Sequence, residues 1–329
     1  MLDLARLEAI RLRRVPYGQV VVGEVMLRWD YLLPRRTRIV LEGVEHLPRD
    51  RGVFLAMNHT DRYNYWPLQY QMYRHGGLRF TATWVKGKYY ENALLGRFMD
   101  TTNNIPLPSR GYLITTDFRR LNGRVPLGDE YRLLRDVVDG SRSEESARVG
   151  ATPEVARTLD EAGRGEGAFD ARFEALFQRM MVEVVRLTRS AVAELDLNVL
   201  VFPQGTRSKR LSKGLTGLVQ MAQHLQVPIV PVGCNGSDRL YPGASPLSSG
   251  GRVVYRFGAP LEPDGPELGP HAAPEGFAPF THEASARFGA SFEAATAVVM
   301  DRINALLDEE YRFGDSDESD GVQGTKRFV

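Results

Sequence analysis

The sequence of 329 residues contains a single cysteine, Cys234, which excludes an intrachain disulfide and is typical of a reducing compartment. It has no stretch approaching the roughly 18 consecutive apolar residues of a membrane-spanning helix. The N-terminus shows no secretory pattern, because Arg and Glu interrupt its apolar residues. Charge of one sign is also lacking, since 42 Lys and Arg stand against 41 Asp and Glu. A general attraction to nucleic acid is therefore not expected, and any anion site must come from local clustering.

Two kinds of catalytic motif are missing as well. No Gly-x-Ser-x-Gly turn is present, which makes an α/β hydrolase a poor hypothesis. No Gly-rich phosphate loop follows a strand pattern, so a nucleotide-binding protein is unsupported. The hydrophobic fraction of 43% and the charged fraction of 25% are those of an ordinary folded protein. Because the sequence has neither a membrane-spanning stretch nor a secretory pattern, we expect a protein of the cytosol or of a membrane surface.

Short apolar runs bounded by Gly, Pro or Asn alternate with helical patterns along most of the chain. Such runs predict strands that are buried on both faces. We predict seven of them, at Arg38–Glu42, Val53–Asn58, Leu78–Val85, Asn104–Leu107, Asn198–Phe202, Pro228–Val232 and Arg252–Phe257. Helical patterns lie between them, at Trp66–Tyr73, Phe169–Leu195 and Lys213–Leu225. This alternation predicts an α/β fold with a single mixed, largely parallel sheet of about seven strands covered by helices.

The N-terminal 36 residues have a different character. Leu4, Leu7 and Ile10 recur at helical spacing with arginines on the flanks, and the segment Val20–Leu33 is apolar and contains Trp29. Amphipathic helices of this kind can lie among lipid headgroups, or the first of them can pack on the domain with a solvated basic face. We predict membrane-associating helices over residues 1–36, one domain over 37–313 and a disordered tail over 314–329. Residues 140–167 show no sustained apolar period.

Three groups of residues could take part in catalysis or binding, but none of the three indicates a function by itself. His59 follows the strand at residues 53–58, where neutral imidazole can act as general base on an alcohol. A Pro-x-Gly turn and Arg207 follow the strand at residues 198–202, and an arginine can bind phosphate with its planar fork of donors. Residues 96–100 and 104–110 add a third group, with the loop-borne Arg110.

Together, their order resembles the lysophosphatidic acid/glycerol-3-phosphate acyltransferase family. The first block of that family reads Asn-His-x4-Asp, and its third reads Phe-Pro-Glu-Gly-Thr-Arg-Ser. Asn58 and His59 match the first block, and six residues match the third: Phe202, Pro203, Gly205, Thr206, Arg207 and Ser208. Residues 96–110 look like the second block, and Val227–Val232 is similar to the fourth. The resemblance covers about residues 37–112 and 185–262.

The resemblance implies transfer of a fatty acyl group from acyl-CoA or acyl-carrier protein to a hydroxyl of a lysophospholipid or glycerol-phosphate acceptor. His59 would be the base, and Arg207 with Arg110 would hold the phosphate of the acceptor. The rest of the third block would complete the acceptor site, through Gln204, Gly205, Thr206 and Ser208. No metal or redox cofactor is expected. Such a protein would work at the cytoplasmic face of a membrane, as a peripheral protein.

Three departures from the family pattern leave the activity open. Asn64 stands where the family has the aspartate that orients the histidine, and Gln204 replaces a glutamate. Asp61 could compensate by acting on the imidazole, or it could simply cap a helix beginning near Arg62. Residues from about 112 to 185 look like an insertion that covers the acyl channel, binds a partner or loops out. The leading hypothesis is an active acyltransferase, and the alternative is a catalytically silent lipid- or acyl-thioester-binding protein on the same fold.

Overall fold

The computed structural model describes residues 2–163 and 166–314. Its centre is one seven-stranded sheet in the order β1-β7-β6-β2-β5-β3-β4, in which only the β6–β7 pair is antiparallel. The strands are β1 Thr37–Glu42, β2 Phe54–Met57, β3 Thr81–Lys86, β4 Asn104–Leu107, β5 Asn198–Val201, β6 Ile229–Asn235 and β7 Gly251–Phe257. The predicted α/β class and the largely parallel sheet are thus confirmed, with a strand at each of the seven expected places.

Helices cover both faces of this sheet. The α-helices are α1 Leu4–Ala9, α2 Tyr17–Val21, α3 Arg28–Leu32, α4 Tyr65–His75, α5 Ala93–Thr101, α6 Arg110–Asn122, α7 Gly128–Val138, α8 Glu144–Arg148, α9 Pro153–Glu161, α10 Phe169–Arg189, α11 Gly217–Leu225, α12 Ser237–Leu240 and α13 His282–Ala305. Two π-helical segments continue α2 and α10, at Val22–Leu27 and Ser190–Glu194, and short 3₁₀ turns lie at Val44–His46, Gly87–Tyr90, Gly269–His271 and Glu309–Tyr311.

The central strand β2 divides the hydrophobic core into two layers. Phe54 and Ala56 point into the larger layer, whereas Leu55 and Met57 point into the smaller one. Successive side chains of a strand face opposite sides of the sheet, so a strand in the middle must be apolar at every position. All four residues of β2 are fully buried for this reason. The chain that leads to the next loop therefore leaves a strand that is packed on both faces.

The first N-terminal helix packs on the domain. Leu2, Leu7 and Ile10 are at most 1% exposed and join the larger core layer, where α1 lies against α10. A face that is already buried against protein cannot enter lipid. We therefore correct the expectation for α1: of the two alternatives, the helix packed on the domain is the one found, and its Arg6 pairs with Asp100 instead of forming a solvated basic face.

The second N-terminal segment differs from the first. From Tyr17 to Leu32 the chain is continuously helical, and it presents Val21, Val25 and Trp29 to solvent at intervals of four residues. Their exposed fractions are 55%, 71% and 59%. None of the helices that the structure describes is long and apolar enough to cross a membrane.

The segment assigned to an insertion is largely helical and contributes to the core. Helix α10 buries Phe173, Phe177 and Val184 in the larger layer, so this part of the chain is not looped out. Helices α8 and α9 lie within residues 140–167, where no sustained apolar period was expected. Helix α9 is only nine residues long, and its buried apolar residues are Val155 and Leu159. Two apolar positions are too few to form a recognisable helical period in the sequence. The predicted disordered tail lies, apart from Gly314, outside the described residues.

Candidate active site

The candidate site lies where β2, β5 and β3 end. These three strands are parallel neighbours, so their carboxyl ends meet at one edge of the sheet. His59 follows β2, the segment from Phe202 to Arg207 follows β5, and Lys86 is the last residue of β3. The first and third sequence blocks are therefore brought together by strand pairing alone.

The backbone of His59 is held by the loop of the third block. Its N–H donates to Oε1 of Gln204 at 2.9 Å, and its carbonyl accepts the N–H of Ser208, also at 2.9 Å. The Nε2 of Gln204 in turn donates to the hydroxyl of Ser212 at 3.1 Å. Gln204 is 5% exposed, so it braces the histidine from inside rather than facing a ligand. A glutamate could accept the His59 N–H as well, but it has no N–H to donate to the surrounding loop.

The imidazole of His59 is positioned by Phe202 and Asn64. The Phe202 ring stacks on it with centroids 4.1 Å apart, and Oδ1 of Asn64 lies 3.2 Å from Nδ1. The Nδ2 of Asn64 donates to the carbonyl of Asn58 at 2.9 Å. Since a carbonyl can only accept, this bond fixes the orientation of the amide. Nδ1 of His59 must then carry the proton, which leaves Nε2 as the basic nitrogen.

Asn58 fixes the start of this loop. Its side chain makes two hydrogen bonds to the backbone of Cys234 on β6, donating to the carbonyl at 3.0 Å and accepting the N–H at 2.7 Å. Asn58 thereby continues the β2–β6 pairing one residue beyond Met57. The carbonyl that orients Asn64 is held still by this clamp, so Asn58 is a positioning residue.

Asp61 does not reach the imidazole. Its carboxylate accepts the N–H of Tyr63 at 2.8 Å and the hydroxyl of Thr60 at 3.0 Å. Helix α4 begins only at Tyr65, so Asp61 closes a tight turn ahead of the helix, and the expected helix start near Arg62 is corrected. Burial raises the pKa of Asp61 to about 6, against the hydrogen bonds from Tyr63 and Thr60 that lower it.

The electrostatic surroundings of His59 are positive. Burial of the ring lowers the pKa of His59 to about 3, the hydrogen bond with Asn64 opposes this, and the charges of Arg207 and Lys86 lower it further. Loss of water around its ammonium lowers the pKa of Lys86, and Lys88 and Arg207 act in the same direction. Lys86 was not among the site residues predicted from the sequence. Its position directly after a predicted strand, at the edge that carries His59, is the signal that could have found it.

The remaining predicted residues are placed differently. Gly205 adopts the left-handed conformation, with φ of 66°, and closes the turn by donating its N–H to the carbonyl of Phe202. Thr206 is exposed beside it. Arg110 lies after β4, three strands from β2, which is about 14 Å at the usual strand spacing. Glu174 binds its guanidinium at 3.0 Å and Phe177 lies beneath it, so its charge is already matched.

A cavity lies beside the site, between α4, α5 and the helical segment 17–32. It is a small cleft that is partly open to solvent, and Tyr65, Trp66 and Phe98 are among its lining residues. The ring of Tyr65 is 6.2 Å from that of Phe202, which stacks on His59. The rings of Tyr65 and Phe202 therefore stand between the cavity and the imidazole.

Comparison with known proteins agrees with the motifs. Residues 172–235 match the family model described as Acyltransferase, which confirms the resemblance for the part of the chain that holds the third and fourth blocks. The match begins inside the segment that we assigned to an insertion, so residues 172–185 are part of the matched region. Among solved structures, the 1-acyl-sn-glycerophosphate (LPA) acyltransferase PlsC from Thermotoga maritima is similar at 15% identity and a TM-score of 0.44, over 92% of this chain and 85% of that chain. No curated protein matches the sequence significantly.

Proposed function

Because residues 172–235 carry an acyltransferase-family segment, we propose that this protein transfers a fatty acyl group from a thioester to a hydroxyl of a phosphate-bearing glycerolipid acceptor. The donor would be acyl-CoA or acyl-carrier protein, and the acceptor a lysophospholipid such as lysophosphatidic acid. The observation that carries the proposal is the geometry of His59: a neutral imidazole with Nε2 as its basic nitrogen, held by the loop that contains Arg207.

The chemistry needs one base and one anion site. Nε2 of His59 takes the proton of the acceptor hydroxyl, and the oxygen attacks the thioester carbonyl. A C–O bond forms, the C–S bond breaks, and the imidazolium returns the proton to the leaving thiolate. Arg207 and Lys86 would bind a phosphate on the acceptor by charge-assisted hydrogen bonds.

The protein would meet both substrates at a membrane surface. The exposed row of Val21, Val25 and Trp29 would enter the lipid headgroup region, and the acyl chain would approach His59 through the neighbouring cavity. This arrangement would keep the acyl chains of donor and acceptor out of water.

One observation favours the alternative, a silent binding protein. Among the residues that the structure describes, no carboxylate is hydrogen-bonded to the imidazole of His59, since Asn64 takes that place and Asp61 bonds elsewhere. A silent protein would bind lysophospholipid or acyl thioester through the same cations without turning it over.

The test is transfer from labelled long-chain acyl-CoA to lysophosphatidic acid by the purified protein. We expect His59→Ala to reduce the rate by roughly 10²–10⁴-fold, the usual contribution of a general base. The exposed His75 on α4 supplies the control, and His75→Ala should leave the rate unchanged. Equal loss in both variants, or none in His59→Ala, would rule out the proposed base. Binding of lysophosphatidic acid without transfer in any variant would favour the silent protein.

A further inference from the structure

The small cleft between α4, α5 and the segment 17–32 contains a buried amide, that of Asn104 at the start of β4. Asn104 is 3% exposed. Its Nδ2 donates to the Met99 carbonyl at 3.2 Å and to the Thr102 hydroxyl at 2.6 Å. Because a carbonyl can only accept, these bonds fix the orientation of the amide, and Oδ1 lies on the opposite side of the group.

The oxygen of this amide lacks a hydrogen bond. Oδ1 of Asn104 is buried, and no donor within the described part of the chain reaches it. A buried carbonyl without a donor loses the hydrogen bonds that it made to water, so such an atom indicates a place that a ligand can complete. Asn122 on α6 also has an Oδ1 without a donor, but it is not among the residues that line the cleft. At Asn104 the unpaired oxygen and a cleft coincide.

A second amide of the cleft has the same polarity. Gln19 donates both hydrogens of its Nε2 to backbone carbonyls, that of Thr81 at 2.7 Å and that of Thr102 at 2.8 Å. Gln19 and Asn104 can therefore offer a ligand only their oxygens. Such oxygens accept a hydrogen bond from a hydroxyl group and repel a phosphate or a carboxylate. Much of the remaining lining is apolar or aromatic: Val22, Leu27, Trp66, Phe98 and Met99.

The strand register gives the separation between Asn104 and His59. Asn104 is level with Thr83 on β3, Leu200 on β5 and Leu55 on β2, and His59 follows Leu55 along the chain. The step from position 55 to position 59 and the three strand spacings across the sheet are roughly 13 and 14 Å, or about 19 Å along the diagonal. The far end of a long acyl chain lies at such a distance from its thioester, whereas its first carbons lie much closer.

We propose that this cleft selects an acyl chain with a hydroxyl group at its far end, and that Oδ1 of Asn104 accepts the hydrogen bond from that hydroxyl. The inference rests on the proposed function, because it places the thioester of the same chain at His59. It adds Asn104 to the reaction as a residue that determines specificity. In a purely apolar pocket a hydroxyl would weaken binding, because it would lose its hydrogen bonds to water. Here it should strengthen binding, because it supplies the donor that Asn104 lacks.

The first test compares three chains that differ only at the far end, and it requires no turnover. Dissociation constants of radiolabelled palmitate, ω-hydroxypalmitate and ω-methoxypalmitate are measured on the wild-type protein by equilibrium dialysis. We expect ω-hydroxypalmitate to bind about tenfold more tightly than palmitate. The ω-methoxy chain keeps the oxygen but has no hydrogen to donate, so it should bind no more tightly than palmitate.

The second test removes the acceptor. Asn104→Leu should abolish the preference for ω-hydroxypalmitate and leave the affinity for palmitate similar or higher. Asn122→Leu is the matched control, because it changes an amide that also has an unpaired Oδ1 but lies outside the cleft. It should keep the tenfold preference. Circular dichroism compares the folding of the two variants, and the three ligands on wild-type protein decide the question even where Asn104→Leu does not fold.

The third test carries the preference into turnover. Transfer to lysophosphatidic acid from ω-hydroxypalmitoyl-CoA and from palmitoyl-CoA is compared in the wild-type protein and in Asn104→Leu. We expect kcat/KM to favour the hydroxylated donor about tenfold in wild type and not in the variant.

The outcomes distinguish the inference from the proposed function. Equal binding of palmitate and ω-hydroxypalmitate, or an equal gain with the methoxy chain, would overturn the inference, and transfer observed beside it would leave the acyltransferase proposal intact. Loss of the preference in both Asn104→Leu and Asn122→Leu would overturn the role of Asn104. A tenfold preference in a protein that transfers no acyl group would support the cleft and contradict the enzyme.

Discussion

The amide of Asn64 lies between the imidazole of His59 and the carbonyl of Asn58, at 3.2 and 2.9 Å. An asparagine whose NH₂ group donated to the ring would hold the imidazole in the wrong tautomer. An Asp-to-Asn change in a serine protease triad lowers turnover about 10⁴-fold for that reason, as a general illustration. Here the NH₂ group of Asn64 donates to the Asn58 carbonyl, so its Oδ1 faces the ring and the tautomer with a basic Nε2 is retained. Only the negative charge of the family aspartate is missing.

Asn64→Asp should therefore have two opposite effects. A carboxylate favours the imidazolium, so the pKa of His59 should rise and an acid limb should appear in the pH profile of kcat/KM above pH 5, where we expect none for wild type. At the same time a carboxylate oxygen would face the Asn58 carbonyl, and loss of that hydrogen bond should lower stability by about 1–3 kcal/mol. The pH profile and urea unfolding measure the two effects. An unchanged profile would contradict our assignment of Asn64 as the partner of the ring.

Asp61 gives a prediction for the pH dependence of stability. Its pKa is raised from 3.8 to about 6, so the folded state binds the proton more tightly than the unfolded state. The stabilisation is complete below pH 3.8 and is lost as the pH rises towards 6, an effect of roughly 3 kcal/mol. Asp61→Asn keeps an acceptor for the Tyr63 N–H and removes the charge.

The free energy of unfolding of Asp61→Asn, relative to wild type, should therefore increase between pH 4 and pH 7. The exposed Asp129 on α7 provides the control, and Asp129→Asn should show no such trend. A constant difference between Asp61→Asn and wild type across this range would contradict the burial of Asp61.

At the scale of elements, the helical segment 17–32 is the part of the N-terminus whose apolar face remains uncovered. Val25 is 71% exposed, between Val21 and Trp29 on the same face. Burial of one such side chain in lipid is worth about 1.5–3 kcal/mol. We expect Val25→Ser to weaken binding to phosphatidylcholine vesicles containing phosphatidylglycerol by roughly tenfold, measured by co-sedimentation.

Helix α10 offers a matched control for this experiment. Val182 is 63% exposed and lies on α10, away from the segment 17–32, so Val182→Ser makes the same chemical change elsewhere. Its effect on vesicle binding should be negligible. Equal effects of the two variants would mean that the segment 17–32 is not the contact with lipid.

At the scale of the whole molecule, the N-terminus is part of the folded domain. Leu7 has no exposed surface, and Arg6 pairs with Asp100 on α5. We expect Leu7→Ala to lower the free energy of unfolding by about 2–5 kcal/mol, because it leaves a cavity in the core. Leu247→Ala, at a position that is 57% exposed, should change it by no more than about 0.5 kcal/mol. Chemical denaturation compares the two, and a small effect at Leu7 would restore the lipid hypothesis for α1.

The sequence by itself determined the sheet and its functional edge. Each of the seven strands is an apolar run ended by a polar or turn residue, and that pattern is local, so it can be read without neighbours. The two blocks around His59 and Arg207 both follow such runs. Because parallel strands end at a common edge, their proximity could also be expected from the sequence.

Tertiary structure decided the roles of individual residues. Whether the apolar face of α1 meets lipid or protein depends on α10, more than 150 positions away, and no local pattern carries that information. The tautomer of His59 depends on the Asn58 carbonyl, the support of its backbone on Gln204, and its positive surroundings on Lys86 from another strand. Hydrogen bonds and charges act through space between groups that are distant in sequence, so only the folded chain fixes which of them meet.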